Sequence, residues 1–354
     1  MNLLVVCRLK EIQVYRKLEP LSVMDEVETI YLVRREPVAL KKVKNYCPPE
    51  LLRKTVVTAE LYRILIIAYL LAFKRVDAIM GIFLIPHGII AGVLGALFRK
   101  PVIQNIIGID LHHALESKLL FTFIKNADIV ITRGPLTKQI LADRKIEPQI
   151  IFTPPNVFDF DKIPVLEGSS KIYDLIFVGS LERYKRLDLL LEALRIVKTE
   201  YKLADVKLAI VGDGSLRGSL QQLAGEYGIV ENISFLGSQK DVYSYLYQSK
   251  VFIMTSEAEG LPMAMIEAMS CGLPCIVPDD SDITSVAVDN YNALVVPVGD
   301  TGAFASRIHR LLTDESLLRK LSANAQSIRR EKRGEYSLEN ITGIWKQILH
   351  QIGV

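Results

Sequence analysis

"YDLIFVGSLERYKRLDLLLEALRIVKTEYKLADVKLAIVGDG", residues 173–214, reads as two short apolar runs on either side of an amphipathic stretch. The outer runs have the length and branched side chains of buried strands, and the leucines between them recur at about the 3.6-residue period of one helix face. Strand, helix and strand in that order form the unit of a parallel sheet with a helical crossover.

The same alternation extends in both directions. Downstream, "ISFLGS", "KVFIMTS", "CIVPDD" and "NALVVPV" continue the strand series, with "SLRGSLQQLAGEYG" as a further helix. Upstream, "NLLVVC", "VETIYLV", "AIMGIFLI", "PVIQNII", "ADIVIT" and "QIIFT" form an earlier series. Between the two lies "DFDKIPVLEGSS", where Pro164, Gly168 and two serines read as a linker. The expected organisation is therefore two doubly wound Rossmann-like α/β domains facing a cleft: residues 1–162, a linker at 163–172, and residues 173–337. A final amphipathic helix, about 338–354, is expected to return to the first domain.

Composition agrees with this layout. A chain of 354 residues exceeds what one core usually organises. Half of its residues are hydrophobic and the mean hydropathy is +0.25, which points to exposed apolar surface. A net charge of +3 does not call for nucleic acid, and the clusters Arg34-Arg35 and Lys41-Lys42 with Lys44 read as a solvated face. Cys7, Cys47, Cys271 and Cys275 have neither disulfide density nor zinc spacing, so reduced thiols and a cytoplasmic location are expected. "MNLLVVCRLKEIQ" lacks the features of a signal peptide. In "LYRILIIAYLLAFKRVDAIMGIFLIPHGIIAGVLGALF" the charges of Arg63, Lys74, Arg75 and Asp77 interrupt any span of about 20 residues, which favours buried helix, strand and helix. Peripheral contact with the inner face of a membrane is the alternative.

Ligands of open parallel sheets bind beyond the carboxyl ends of the strands, so the strand-to-helix loops are where chemistry is sought. Gly179 allows a tight exit from its strand, and Arg183 and Lys185 precede the next helix, where cations and backbone N–H groups can meet phosphate. Gly212, Gly214 and Gly218 approximate a dinucleotide fingerprint with the wrong spacing, so an NAD site is a minority reading. Gly237 lets backbone approach a flat ligand, or simply makes a turn. In "SEAEGLPMAMIEAMSCGLPCIV" a strand ends before Glu259, Gly260 and Leu261, with Pro262 as first helical residue and Gly272 stopping the helix about three turns on. Met263, Ile266, Ala268 and Met269 surround Glu267, a costly setting for a carboxylate without a partner or ligand. The two glutamates, about 8 Å apart along the helical part, suit the two ends of a nucleoside diphosphate sugar.

These residues resemble the GT-B fold retaining glycosyltransferases of family 4. The resemblance is strongest over about 174–330, where "FVGSLERYKRLDLLLEAL", "AIVGDGSLRGSLQQLA", "ISFLG" and "SEAEGLPMAMIEAMSCGLPCIV" occur in the family's order, and looser in "NADIVITRGPLTKQIL" and "PPNVFDFDKI". It implies a catalytic Glu259 on the donor sugar, with the N–H groups of Gly260, Leu261 and the helix start at Pro262 on the sugar or diphosphate. It further implies a diphosphate ligand in Lys185, with Gly179 and Arg183 nearby, a ribose ligand in Glu267 and a base site at Gly237. A UDP-, GDP- or ADP-sugar donor and no obligatory metal or other cofactor are implied. "DFD" at 159–161 and "DSD" at 280–282 read as turns rather than metal ligands. The chain departs from the family at Ser180, where arginine is common, at Ile107, where a histidine is usual, and in lacking a glycine-rich loop after the first strand.

The expected function is retaining transfer of a sugar to an acceptor hydroxyl, with a glycan or lipid-linked acceptor in surface polysaccharide or glycolipid assembly. A non-catalytic nucleotide-sugar-binding partner subunit and an NAD(P)-dependent oxidoreductase are the rival readings.

Overall fold

The computed structural model describes all residues except Glu167, Ala258, Ser281 and Val354, and the side chains of Ile109 and Pro148. Glu167 of the expected linker and Ser281 of "DSD" thus lie outside the described residues. The chain divides into two compact units, Met1–Phe158 with Gly334–Val354, and Asp159–Arg333. These bounds compare with the expected 162 and 337.

The first unit holds seven parallel strands: β1 (Asn2–Val6), β2 (Thr29–Val33), β3 (Val43–Tyr46), β4 (Ala78–Ile82), β5 (Val102–Asn105), β6 (Ile129–Ile131) and β7 (Ile151–Phe152). Their order is β3-β2-β1-β4-β5-β6-β7. Strand β3 escaped the sequence reading because "VKNY" is a half-exposed edge strand with no apolar run. Successive side chains of β1 face opposite ways, as strand geometry requires. Leu3 and Val5 pack with the helices Glu11–Val23 and Leu338–Gln351, whereas Leu4 and Val6 pack with the helices Val56–Phe73 and Ile89–Phe98. The C-terminal helix lies against Glu11–Val23 and buries Ile341, Trp345, Ile348 and Leu349.

Two expectations fail in this unit. Helix Val56–Phe73 is not a buried helix: it is long and apolar enough to cross a membrane, yet only 22% of it is buried. Its sheet-facing stripe is narrow while its composition is apolar all round. Arg34 does not belong to a solvated face either, being 5% exposed with its Nη2 donating to the Leu9 carbonyl at 2.8 Å. It directly follows β2 and is carried inward, while Arg35, Lys41, Lys42 and Lys44 are exposed.

The second unit holds six parallel strands: β8 (Tyr173–Val178), β9 (Leu208–Val211), β10 (Ile233–Gly237), β11 (Ser249–Ile253), β12 (Cys275–Pro278) and β13 (Ala293–Val296). Their order is β10-β9-β8-β11-β12-β13. Leu175 and Phe177 of β8, Leu208 and Ile210 of β9, and Val251 and Ile253 of β11 share one core with the helices Leu187–Thr199 and Thr301–Thr313. The winding reverses direction between β8 and β11, which are hydrogen-bonded neighbours. All strands being parallel, the loops that follow them lie on one edge, and the crevice between the loops after β8 and β11 is the place where such sheets bind ligands.

Candidate functional site

The two loops at that reversal are fastened to each other. After β8 the chain makes a short turn, Arg183–Lys185, and Arg186 follows in a left-handed conformation with φ 49°. After β11, Thr255 donates its hydroxyl to the carbonyls of Lys185 at 3.1 Å and Arg186 at 2.9 Å, and the Glu257 N–H donates to the Tyr184 carbonyl at 3.0 Å. Arg186 also pairs with Glu257. Across these backbone ties Lys185 Nζ meets Glu259 Oε1, with side chains only 12% and 15% exposed. The ammonium lies 5.3 Å from the centre of the Tyr184 ring. The Glu259 N–H donates to Asp280 Oδ2 at 3.0 Å, which ties the glutamate to the loop after β12 as well.

Two of the residues expected to act on a donor, one cation and one anion from loops some 70 residues apart, thus meet at the switch point. The pair is nearly neutral as a unit, so neither charge is buried alone. Beside it the helix Met263–Ser270 begins without a capping side chain and without an acid in its first turn. Its first N–H groups and the positive end of its dipole are therefore not matched from within its own sequence.

The helix corrects three expectations. Pro262 is its N-cap, with extended backbone at φ −76° and ψ 120°, and Met263 is the first helical residue. The helix spans eight residues, a little over two turns rather than three, and Gly272 stops it with φ +79°. Glu267 is not surrounded by its apolar sequence neighbours. Met265, Ile266, Ala268 and Met269 are buried, whereas Glu267 shares the half-exposed side with Met263 and Ala264. The helical period separates residues that are adjacent in sequence, so the desolvation argument for a partner does not apply to Glu267. Its carboxylate stands about 6 Å along the axis from the helix start.

The glycines of "VGDG" have a steric reason. A Cβ on Gly212, whose φ is +140°, would stand 1.7 Å from the Gly179 carbonyl oxygen, and one on Gly214 would stand 2.6 Å from that of Leu181. The Gly212 N–H donates to the Gly237 carbonyl at 2.8 Å, and the Leu181 N–H to the Asp213 carbonyl at 3.1 Å. Close approach of neighbouring loops accounts for Gly212 and Gly214 of the pattern that resembled a dinucleotide fingerprint, whereas a Cβ on Gly218 would meet nothing within 4 Å. Gly237 itself has φ +70° and lies beside Arg217, which pairs with Asp213 at 3.1 Å.

Arg183 faces another direction. It lines an open groove of about 800 Å³ with Arg186, Asp188, Leu216, Leu220 and Glu257, and neither Lys185 nor Glu259 lines that groove. Ser180, at the position where the family resemblance leads one to expect arginine, accepts or donates a hydrogen bond with the Tyr184 hydroxyl at 3.2 Å. Among the described residues no group of His, Cys, Asp and Glu is arranged to hold a metal ion.

Sequence reading missed Thr255 and Tyr184, whose roles depend on which loops meet, and took Asp280 only for a turn residue. It also passed over Ser256, fully buried with an unpartnered hydroxyl between the residues that bind the two loops together. In the first unit it missed Asp110, whose Oδ2 accepts from the Ile107 N–H at 3.1 Å and whose pKa burial raises to about 6. His87, 1% exposed, has its pKa lowered to about 4 by burial first and by the Arg63 charge next.

Residues 160–328, nearly the whole second unit, match the family of glycosyl transferases group 1. N-acetyl-alpha-D-glucosaminyl L-malate synthase of Bacillus anthracis is 31% identical over 185 residues, 52% of this chain and 47% of that protein. A UDP-Gal:alpha-D-GlcNAc-diphosphoundecaprenol alpha-1,3-galactosyltransferase of Escherichia coli is 28% identical over 168 residues, 47% and 43% of the two chains. The matched stretch thus spans about half the length of these relatives. Among solved structures, Anabaena HepE in complex with UDP and glucose superposes with a TM-score of 0.79 over 99% of both chains at 15% identity, a likeness of fold. The two parallel-sheet α/β units share their fold with GT-B glycosyltransferases. Within it, the second unit is similar to the glycosyl transferases group 1 family over residues 160–328.

Gly212→Ala is expected to push apart the loops after β8 and β9, lowering the melting temperature by several degrees and weakening any ligand of the β8 loop. A variant with unchanged melting temperature would contradict the close-approach account. His87 provides a second check. Its folded pKa lies below the ordinary 6.5, so the unfolded chain binds more protons between pH 6.5 and about 4, and its contribution, about 3 kcal/mol when complete, is lost as pH falls through that window. Asp110, with a raised folded pKa, acts in the opposite sense between its ordinary 3.8 and about 6. His87→Gln should therefore lose less stability than the wild type between pH 6.5 and 4.5 in urea titrations; parallel losses would contradict the assignment.

Proposed function

We propose that this chain is a retaining glycosyltransferase that moves a sugar from a nucleoside diphosphate sugar to an acceptor hydroxyl. The observation that carries the reading is the Lys185–Glu259 pair at the switch point of the second sheet, beside a helix start with no capping side chain. A diphosphate placed there meets an ammonium and the N–H groups of a helix start, the combination that favours phosphate. On binding, Lys185 exchanges Glu259 for the diphosphate, and Glu259 is released to accept hydrogen bonds from the sugar hydroxyls. Lys185 keeps an opposite charge beside it throughout, and the released Glu259 carboxylate is stabilised by the hydroxyl donors it accepts from. Glu267, half-exposed farther along the same helix, takes the ribose, and the backbone at Gly237 takes the base.

In the reaction the bond from the anomeric carbon to the diphosphate oxygen breaks and a bond from that carbon to the acceptor oxygen forms on the same face. The acceptor's proton passes to the departing phosphate oxygen. Lys185 and the helix N–H groups stabilise the negative charge that grows on the diphosphate, so the scheme requires no metal. A uridine nucleotide is the first donor to test, because the fold neighbour HepE is held with UDP and glucose. A lipid-linked glycan acceptor is supported by the apolar outer helices of the first unit and by the diphosphoundecaprenol in the name of the Escherichia coli relative. The four cysteines are free thiols, in keeping with a cytoplasmic protein held at the inner face of the membrane.

Thermal-shift titration with UDP-glucose, UDP-N-acetylglucosamine and NAD is expected to raise the melting temperature with the uridine compounds alone. Glu259→Gln should keep that shift while turnover, read as UDP release with an acceptor panel, falls about a hundredfold or more. Glu267→Ala should keep the fold and lose donor affinity. Stabilisation by NAD alone would sink the reading in favour of an oxidoreductase, and donor binding without turnover in the wild type would favour the non-catalytic partner.

A further inference from the structure

Helix Val56–Phe73 is a crossover between β3 and β4 and sets only Arg63, Ile67, Leu70 and Leu71 into the core. Every exposed position along it is apolar or aromatic, including Val57 at 76% exposure, Leu65 at 62% and Phe73 at 75%. Its two charged residues, Glu60 and Arg63, pair with each other and are not exposed. The helix Ile89–Phe98 packs beside it, contains no charged residue, and exposes Val93 and Leu97. A helix on a water-facing surface normally carries its charges outward. Here two adjacent helices show water a continuous apolar face, far beyond scattered single residues.

The charges sit at the ends. Lys74-Arg75 follow the first helix directly and Arg99-Lys100 the second. Both helices cross back over the same parallel sheet and so run in the same direction, which brings the two cation pairs to one edge of the apolar face. Lys54 stands just before the other end of the first helix.

We infer that this two-helix face lies flat on an anionic lipid bilayer, Leu61, Leu65 and Phe73 entering the acyl boundary while Lys74, Arg75, Arg99 and Lys100 meet lipid phosphates. The inference deepens the functional reading by assigning its membrane contact to named residues, and it rests on that reading only for the purpose of the contact. The first helix does not span the bilayer. Leaving the sheet would pull its buried stripe out of the core and take the Glu60–Arg63 pair into hydrocarbon. An in-plane helix with apolar contact below and cations at its margin is the arrangement of interfacial proteins. A second copy of the chain would bring the same cations to the contact, whereas lipid phosphates supply the opposite charge.

Flotation of the full chain with vesicles of phosphatidylcholine and phosphatidylglycerol tests this. The wild type should float with them and bind phosphatidylcholine vesicles far more weakly, with neutralisation of each rim cation costing about fivefold in partitioning. Leu61→Glu combined with Leu65→Glu should abolish flotation while the melting-temperature rise with UDP is kept, which separates loss of docking from loss of fold. Equal flotation of the double variant and the wild type, or a wild type that stays in solution with anionic vesicles, would overturn the proposal. A concentration-dependent dimer in sedimentation that the same substitutions disperse would overturn it in favour of a second copy. Loss of the UDP response in the wild type alongside normal flotation would sink the functional reading and leave the docking face standing.

Discussion

The second unit is organised around one charge pair. Lys185 and Glu259 come from the loops after β8 and β11, the strands between which the winding reverses, and they meet with most of their side-chain surface removed from water. Removing one partner of such a pair leaves the other charge uncompensated, at a cost typically of about 3–5 kcal/mol. The backbone ties from Thr255 and Glu257 hold the loops at the distance that the pair requires. The glycines at 212 and 214 let neighbouring loops approach closely enough to build the same edge. What looks like four separate motifs in the chain is therefore one surface, assembled because all six strands point the same way.

In the proposed reading the pair is also what a diphosphate exchanges with. Pairing Lys185 with a carboxylate from the facing loop offsets the cost of burying either charge and fixes where the ammonium stands. In the reaction proposed above, the same carboxylate turns to the sugar hydroxyls once a diphosphate replaces it. The helix start at Met263 adds dipole and N–H groups without a competing acid in its first turn.

Much of this was legible in the sequence, for definite reasons. The βαβ rhythm is carried by strands buried on both faces, such as "NLLVV" and "LAIV", whose apolar runs leave little room for another reading. Glu259 stood out as an acid beside Gly260 at a strand end, whereas the loop of Lys185 reads equally well as solvated cations and gained its role only from the family resemblance. Edge strand β3 was not legible, since a half-exposed strand carries no apolar run. Nor was the true setting of Glu267: its sequence neighbours are apolar, but helical geometry sends them inward and leaves the carboxylate on the open side. Thr255, Asp280 and Tyr184 owe their importance to contacts over long sequence separations, which local pattern does not encode. The outward apolar helix read as buried because composition reports how apolar a segment is and not which side of the sheet has room for it.

The central claim is that the Lys185–Glu259 pair is a donor site at rest and not only a fastening between two loops. Exchanging the two residues, Lys185→Glu with Glu259→Lys, and titrating the product calorimetrically with UDP-glucose tests this most directly, with the melting temperature as control. The account predicts a folded chain whose affinity for the donor falls about a hundredfold or more, because a carboxylate now stands where phosphate must bind. A reversed pair that folds and binds the donor as tightly as the wild type would contradict it.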